Sequence, residues 1–151
     1  TRAFLAAMTE SLRPLVGVGV VVLKGAPGAE QVLLIRRGKP PRQGSWSLPG
    51  GRQRHGETVR EAAAREVMEE AGLTVAVTAL LDVVDSITRD ATGGVAYHYT
   101  LVDFLAEWRD GEPVAGDDAA EAIWADPRAL DGYTLWDETL RIIRLAVERR
   151  P

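Results

Sequence analysis

Apolar positions along this chain follow two periods, and the changes between them mark out its elements. After Pro14 the run LVGVGVVVL is almost wholly apolar and rich in β-branched residues, which favours a buried strand over a helix. The turn Ala26-Pro27-Gly28-Ala29 breaks it and QVLLIRR returns, so 15–37 reads as a β-hairpin. The next stretch, RRGKPPRQGSWSLPGG, is too rich in Gly and Pro for regular structure, except that Trp46 and Leu48 alternate with serines as a short strand would. LTVAVTALLDVVDSI then reads as one long strand or two, mostly buried, and Arg89 to Gly94 as a turn. VAYHYTLVDFLAEW alternates strictly at its centre. Tyr97, Tyr99 and Leu101 fall on one face and His98, Thr100, Val102 and Phe104 on the other, a strand suited to lining a pocket on one side.

Helical spacing occurs in three places. Thr58 and Glu61 form a T-x-x-E capping box and Ala71-Gly72 supplies a left-handed stop, so a helix is expected from about Val59 to about Ala71. A last helix is expected from about Thr134 to Glu148, with Trp136, Leu140, Ile143 and Val147 as its core stripe and Arg149 and Arg150 at the negative end of its dipole. Residues 3–12 fit a short helix with Phe4, Leu5, Met8 and Leu12 on one side, a packing element or a homodimer contact. Hairpin, short strand, helix, strands and helix do not alternate regularly. The expected architecture is therefore α+β, a mixed sheet between helices, in one domain over 1–151.

Composition narrows the function more than the fold. A net charge of −4 argues against duplex nucleic acid as a partner, while free nucleotides carrying Mg²⁺ remain acceptable. With no cysteine there is neither a disulfide framework nor thiol chemistry, which is consistent with a reducing, cytoplasmic setting. No run of ~18 apolar residues exists to span a membrane, and no signal-peptide pattern is present.

The chemistry concentrates on the helix at 59–71. At about 100° per residue, Val59, Ala62, Ala63 and Val67 share one arc. Glu66 and Glu70 fall inside that arc, with Glu69 at its edge. Solvated acids normally sit opposite an apolar stripe, and three acids within about one turn repel one another. A divalent cation relieves both problems, and an all-oxygen donor set with no cysteine or histidine pair suits Mg²⁺ or Mn²⁺. Upstream, Arg36, Arg37, Lys39 and Arg42 make a basic loop suited to a polyphosphate.

With those residues in view, Gly51, Glu57, Arg65-Glu66-Val67, Glu69-Glu70 and Gly72-Leu73 together resemble a complete Nudix box. The resemblance implies an α/β/α sandwich and metal-dependent hydrolysis of a phosphoanhydride. It implies Glu66, Glu69 and Glu70 as metal ligands, the Gly51 carbonyl as another, Glu57 joining through water or a further ion, and Arg65 pairing with the acids to hold them. Glu66 is either ligand or general base. Glu121, with Asp118 second, is where the family often supplies an extra ligand or base. Substrate contacts are expected from Arg36 and Arg37, from His98, and from an aromatic that stacks on the base, with Trp46, Tyr97, Tyr99, Tyr133 and Trp136 all available. The approach to the box and the strand at 97–104 are similar to the ADP-ribose pyrophosphatase group, which implies cleavage of ADP-ribose to AMP and ribose 5-phosphate. The alternatives are a pyrophosphohydrolase of (deoxy)nucleoside triphosphates or dinucleoside polyphosphates, and a nucleotide-sensing regulatory module.

Overall fold

Strand β1 (Leu15–Lys24) runs through the middle of a seven-stranded mixed sheet, and every other element is placed by it. The computed structural model describes residues 13–40 and 42–151; the helix expected at 3–12 lies outside them. On one edge β1 pairs in parallel with β6 (Val95–Asp110), from Leu15↔Tyr99 to Leu23↔Glu107. On the other edge it is shared. Its end pairs with β2 (Gln31–Arg37) at Leu23↔Val32, whereas its beginning pairs with β4 (Gly50–Arg52) at Val18↔Gly51. The expected hairpin is thus a fork, because β3 (Trp46–Ser47) takes the far half of β2 and β4 takes the near half of β1. β7 (Ala119–Ala125) covers the remaining edge of β2, and β5 (Thr74–Arg89) pairs only with β6.

Alternation along β1 divides the core in two. Val18, Val20 and Val22 pack with Leu33, Ile35, Phe104 and the helix residues Ala62, Ala63, Val67 and Ala71. Val21 and Leu23 pack with Leu34, Leu105, Ile142, Ile143 and Ala146. Helix α1 (Val59–Ala71) therefore covers one face and α2 (Asp137–Arg149) the other, giving the sandwich. Each fully buried Val or Leu contributes about 1.5–3 kcal/mol, so the two faces together hold the sheet between its helices.

Two expectations are corrected. The strand at 74–89 is not mostly buried: only Leu81 and Val84 are, because β5 is an edge strand with four register shifts along its pairing with β6. The last helix begins at Asp137 rather than near Thr134, since Thr134 has φ +50 and ends a short 3₁₀ turn at Asp131–Tyr133. Trp136 consequently sits at the N-cap, 48% exposed, outside the core stripe, which is carried by Ile142, Ile143 and Ala146 with Leu140 and Val147 at its margins. No helix of the described residues is long and apolar enough to cross a membrane.

Candidate active site

Helix α1 is specified by its own ends. The amide of Glu61 donates to the Thr58 hydroxyl at 3.1 Å and the Thr58 amide to the Glu61 carboxylate at 3.3 Å, while Gly72 closes the helix at φ +70. This fixes the rotation of the helix, so Glu66 and Glu70 face strand β4. There two glycines receive them. A side chain on Gly50 would run into the Val18 carbonyl, and its free amide donates to Oε1 of Glu70 at 2.8 Å. A Cβ on Gly51 would stand 2.5 Å from Oε1 and 2.8 Å from Oε2 of Glu66.

Arg65 organises the remaining acids. Its Nε and Nη2 donate to the two oxygens of Glu57 at 2.6 and 2.9 Å, a bidentate fork. Nη1 reaches Glu66 at 2.8 Å and Glu69 at 3.2 Å, and Nη2 also donates to the Arg52 carbonyl at 3.0 Å. Arg54 adds a contact to Glu69 at 3.2 Å. Three carboxylates thus meet one half-buried guanidinium and one exposed one. The Arg65 hydrogen bonds hold Glu57 down at about 2. Burial, reinforced by the neighbouring Glu66, pushes Glu70 up to about 8 in spite of the Gly50 amide. Burial raises Glu66 as well, against the pull of Arg65. Glu66 and Glu70 stand beside one another and the charge of Glu66 raises the cost of ionising Glu70, so their titrations are coupled.

The substrate candidates divide between the faces. Arg36 donates to Glu121 at 2.9 and 2.6 Å, the two being register partners of β2 and β7, and Lys39 pairs with Asp118 at 2.9 Å. The structure therefore gives Glu121 and Asp118 cationic partners of their own. Arg37 is turned into its loop, donating to the Lys39 and Pro40 carbonyls. Trp46 lies edge-on to Tyr133, centroids 5.2 Å apart, against the α2 side of the core. Tyr97 is on the exposed part of the long β5–β6 hairpin, and His98 is half-buried on the opposite face. Sequence reasoning missed the Gly50 amide, which depends on strand pairing, and Arg54. It also passed over Asp103, although an acid inside the apolar run LVDFLA was a visible signal.

The profile of the family described as NUDIX domain matches residues 13–145. The chain belongs to the Nudix family. Among curated Nudix relatives, an ADP-ribose pyrophosphatase of Methanocaldococcus jannaschii is 41% identical over 115 residues, 76% of this chain and 63% of that one. The 8-oxo-dGDP phosphatase NUDT18 of Homo sapiens is 52% identical over 54 residues, 36% of this chain and 17% of that one. This chain therefore spans less than two thirds of the length of either relative. A solved MutT NUDIX hydrolase from Burkholderia pseudomallei superposes with a TM-score of 0.71 at 31% identity, over 92% of this chain and 99% of that one.

Nudix hydrolases generally use a divalent metal, and the donor set here fits a hard cation. The acids are all oxygen donors, they outnumber the cations that hold them, and Gly51 leaves a cradle in which the Glu66 carboxylate lies against the main chain. Among the described residues no group of three acids is closed around a single point; in this arrangement Arg65 and the Gly50 amide hold them instead.

Proposed function

We propose that this chain is a divalent-cation-dependent pyrophosphohydrolase whose substrate is a nucleoside diphosphate linked to a second moiety, with ADP-ribose, cleaved to AMP and ribose 5-phosphate, as the best candidate. The observation that carries the reaction is the half-buried Glu66–Glu70 pair seated on Gly50 and Gly51. A carboxyl pushed up to about 8 by its surroundings is one that a cation would convert to carboxylate. Glu66, Glu69 and Glu70, with the Gly51 carbonyl, would hold Mg²⁺ or Mn²⁺. When bound, such an ion neutralises charge on the two phosphates and lowers the pKa of water. The Gly50 amide orients Glu70, and Arg65 keeps Glu57, Glu66 and Glu69 from turning into solvent.

The substrate rests on the similarity to the M. jannaschii ADP-ribose pyrophosphatase, which extends over most of the present chain. The shorter match to the human 8-oxo-dGDP phosphatase supports a second reading, an oxidised guanine nucleotide. Side-by-side kcat/KM values for ADP-ribose, dGTP and 8-oxo-dGTP with Mg²⁺ decide between them. ADP-ribose is expected to lead, and a clear preference for either guanine nucleotide would overturn the choice.

A further inference from the structure

The sheet face opposite α1 carries an acid that the carboxylate site does not use. Asp103, in the middle of β6, is 6% exposed, and its carboxyl occupies the space over Gly19 where a side chain on β1 would stand. Among the described residues it has no hydrogen-bond or ion-pair partner. The other buried acid, Glu30, has Arg128 at 3.3 Å. The cation near Asp103, Arg141 on α2, is engaged by Glu138 and, at 2.9 Å, by Asp82. Asp82 is also the register partner of Asp103 on β5, so a second acid stands beside it. A buried carboxylate with a like charge beside it and no donor is costly, and a fold keeps such a group where a ligand supplies the donor.

We propose that Asp103 is a specificity-determining residue that accepts a hydrogen bond from the 6-amino group of an adenine base. The inference rests on the adenine-nucleotide reading above and deepens it. Asp103 lies on the same side of the sheet as the Trp46–Tyr133 pair and Leu48, whose side chain is 4.0 Å from the Cβ position of Gly19. Leu101 and Tyr99 take the space over Gly17 as Asp103 takes that over Gly19, which gathers these side chains over one stretch of β1. An apolar and aromatic lining around one convergent polar group is what a base pocket requires.

The register also sets its distance from the chemistry. Gly19 pairs with Asp103 on one side and with Gly50 on the other. Asp103 is thus two strand spacings, about 10 Å, from the amide that holds Glu70. A nucleoside spans a gap of that order; because Asp103 lies on the α2 face and the carboxylates on the α1 side, it would pass around the Gly50 end of the sheet to set its base by Asp103 and its phosphates by the carboxylates. An ionised carboxylate only accepts hydrogen bonds, so it welcomes the adenine amino group and repels the carbonyl that hypoxanthine carries at the same position.

The test is calorimetric binding of AMP, IMP and GMP at pH 7.5 to the wild-type chain, Asp103→Asn and Asp103→Ala, with folding of each variant checked by thermal melting. The wild type should bind AMP ~10-fold or more tightly than IMP, the scale of one base-edge discrimination. Asp103→Asn, whose amide can turn an N–H toward the hypoxanthine carbonyl, should lower that ratio to about threefold or invert it, and Asp103→Ala should lower it too. Equal binding of AMP and IMP by the wild type, tighter binding of GMP than AMP, or a wild-type ratio kept by a folded Asp103→Asn would overturn the proposal. Since the readout needs no turnover, failure to cleave ADP-ribose would sink the substrate reading and leave this test standing.

Discussion

The amide of Gly50 donates to Oε1 of Glu70 at 2.8 Å, tying the strand that enters the box to the last turn of the helix. Glu70→Gln keeps an acceptor for that amide and matches the original in size and helix propensity. We expect the fold and melting temperature to be preserved while kcat falls by ~10²-fold or more, the scale for removing a pre-organised electrostatic element. Steady-state kinetics beside a thermal melt would show it, and an unchanged rate would reduce Glu70 to a structural hydrogen-bond acceptor.

Gly51→Ala probes the cradle from the opposite side. The new Cβ meets the end of a side chain rather than main chain, so the Glu66 carboxylate shifts and the strand survives. The Mg²⁺ concentration that gives half-maximal activity should rise by about tenfold or more, the scale for disturbing the support of a ligand, with little change in melting temperature. A metal titration identical to wild type would show that the position of Glu66 against Gly51 does not matter for the ion.

Millimolar Mg²⁺ should raise the melting temperature of the wild-type chain, since a ligand of the native state alone stabilises it by mass action. Glu66→Gln should narrow the gain. Differential scanning calorimetry with and without chelator measures both, and equal gains in the two proteins would remove Glu66 from the ligand set.

Asp103 has a pH signature of its own. Burial first, then Asp82, pushes it up to about 6 from an ordinary value of 3.8, with Arg141 opposing and Glu138 adding. The folded state therefore holds the proton more tightly than the unfolded chain. The stability this confers is present below about pH 4 and is lost as pH rises through 6. Asp103→Asn escapes that loss and should be the more stable protein above pH 6, by up to ~3 kcal/mol, with the gap closing toward pH 4. Urea midpoints from pH 4 to 8 would reveal the convergence, and parallel curves would contradict it. A substitution that stabilises the fold while erasing base discrimination is the usual mark of a residue retained for binding.

The box helix was legible in the sequence because its determinants are local: Thr58, Glu61 and Gly72 set its ends, and 3.6-residue spacing sets which acids share a face. What escaped was set by pairing between distant segments. Arg36 reads as a free cation until β7, some eighty-five residues later, brings Glu121 to it. The apolar run at 73–87 looks interior until its place at the sheet edge is known. Trp136 fits a helical stripe by spacing, yet the left-handed Thr134 starts the helix after it.

The parallel pairing of β1 with β6 also bears on how the chain reaches this fold. Leu15 finds Tyr99 only after about eighty intervening residues have been made, whereas β5 and β6 are joined by a short turn and can zip locally. During synthesis β1, with its run of valines, must wait for its partner with one edge open. Until β6 arrives, β1 and the β4 glycines paired with it lack one half of the sheet, so the seat of the box carboxylates is expected to be completed late in folding.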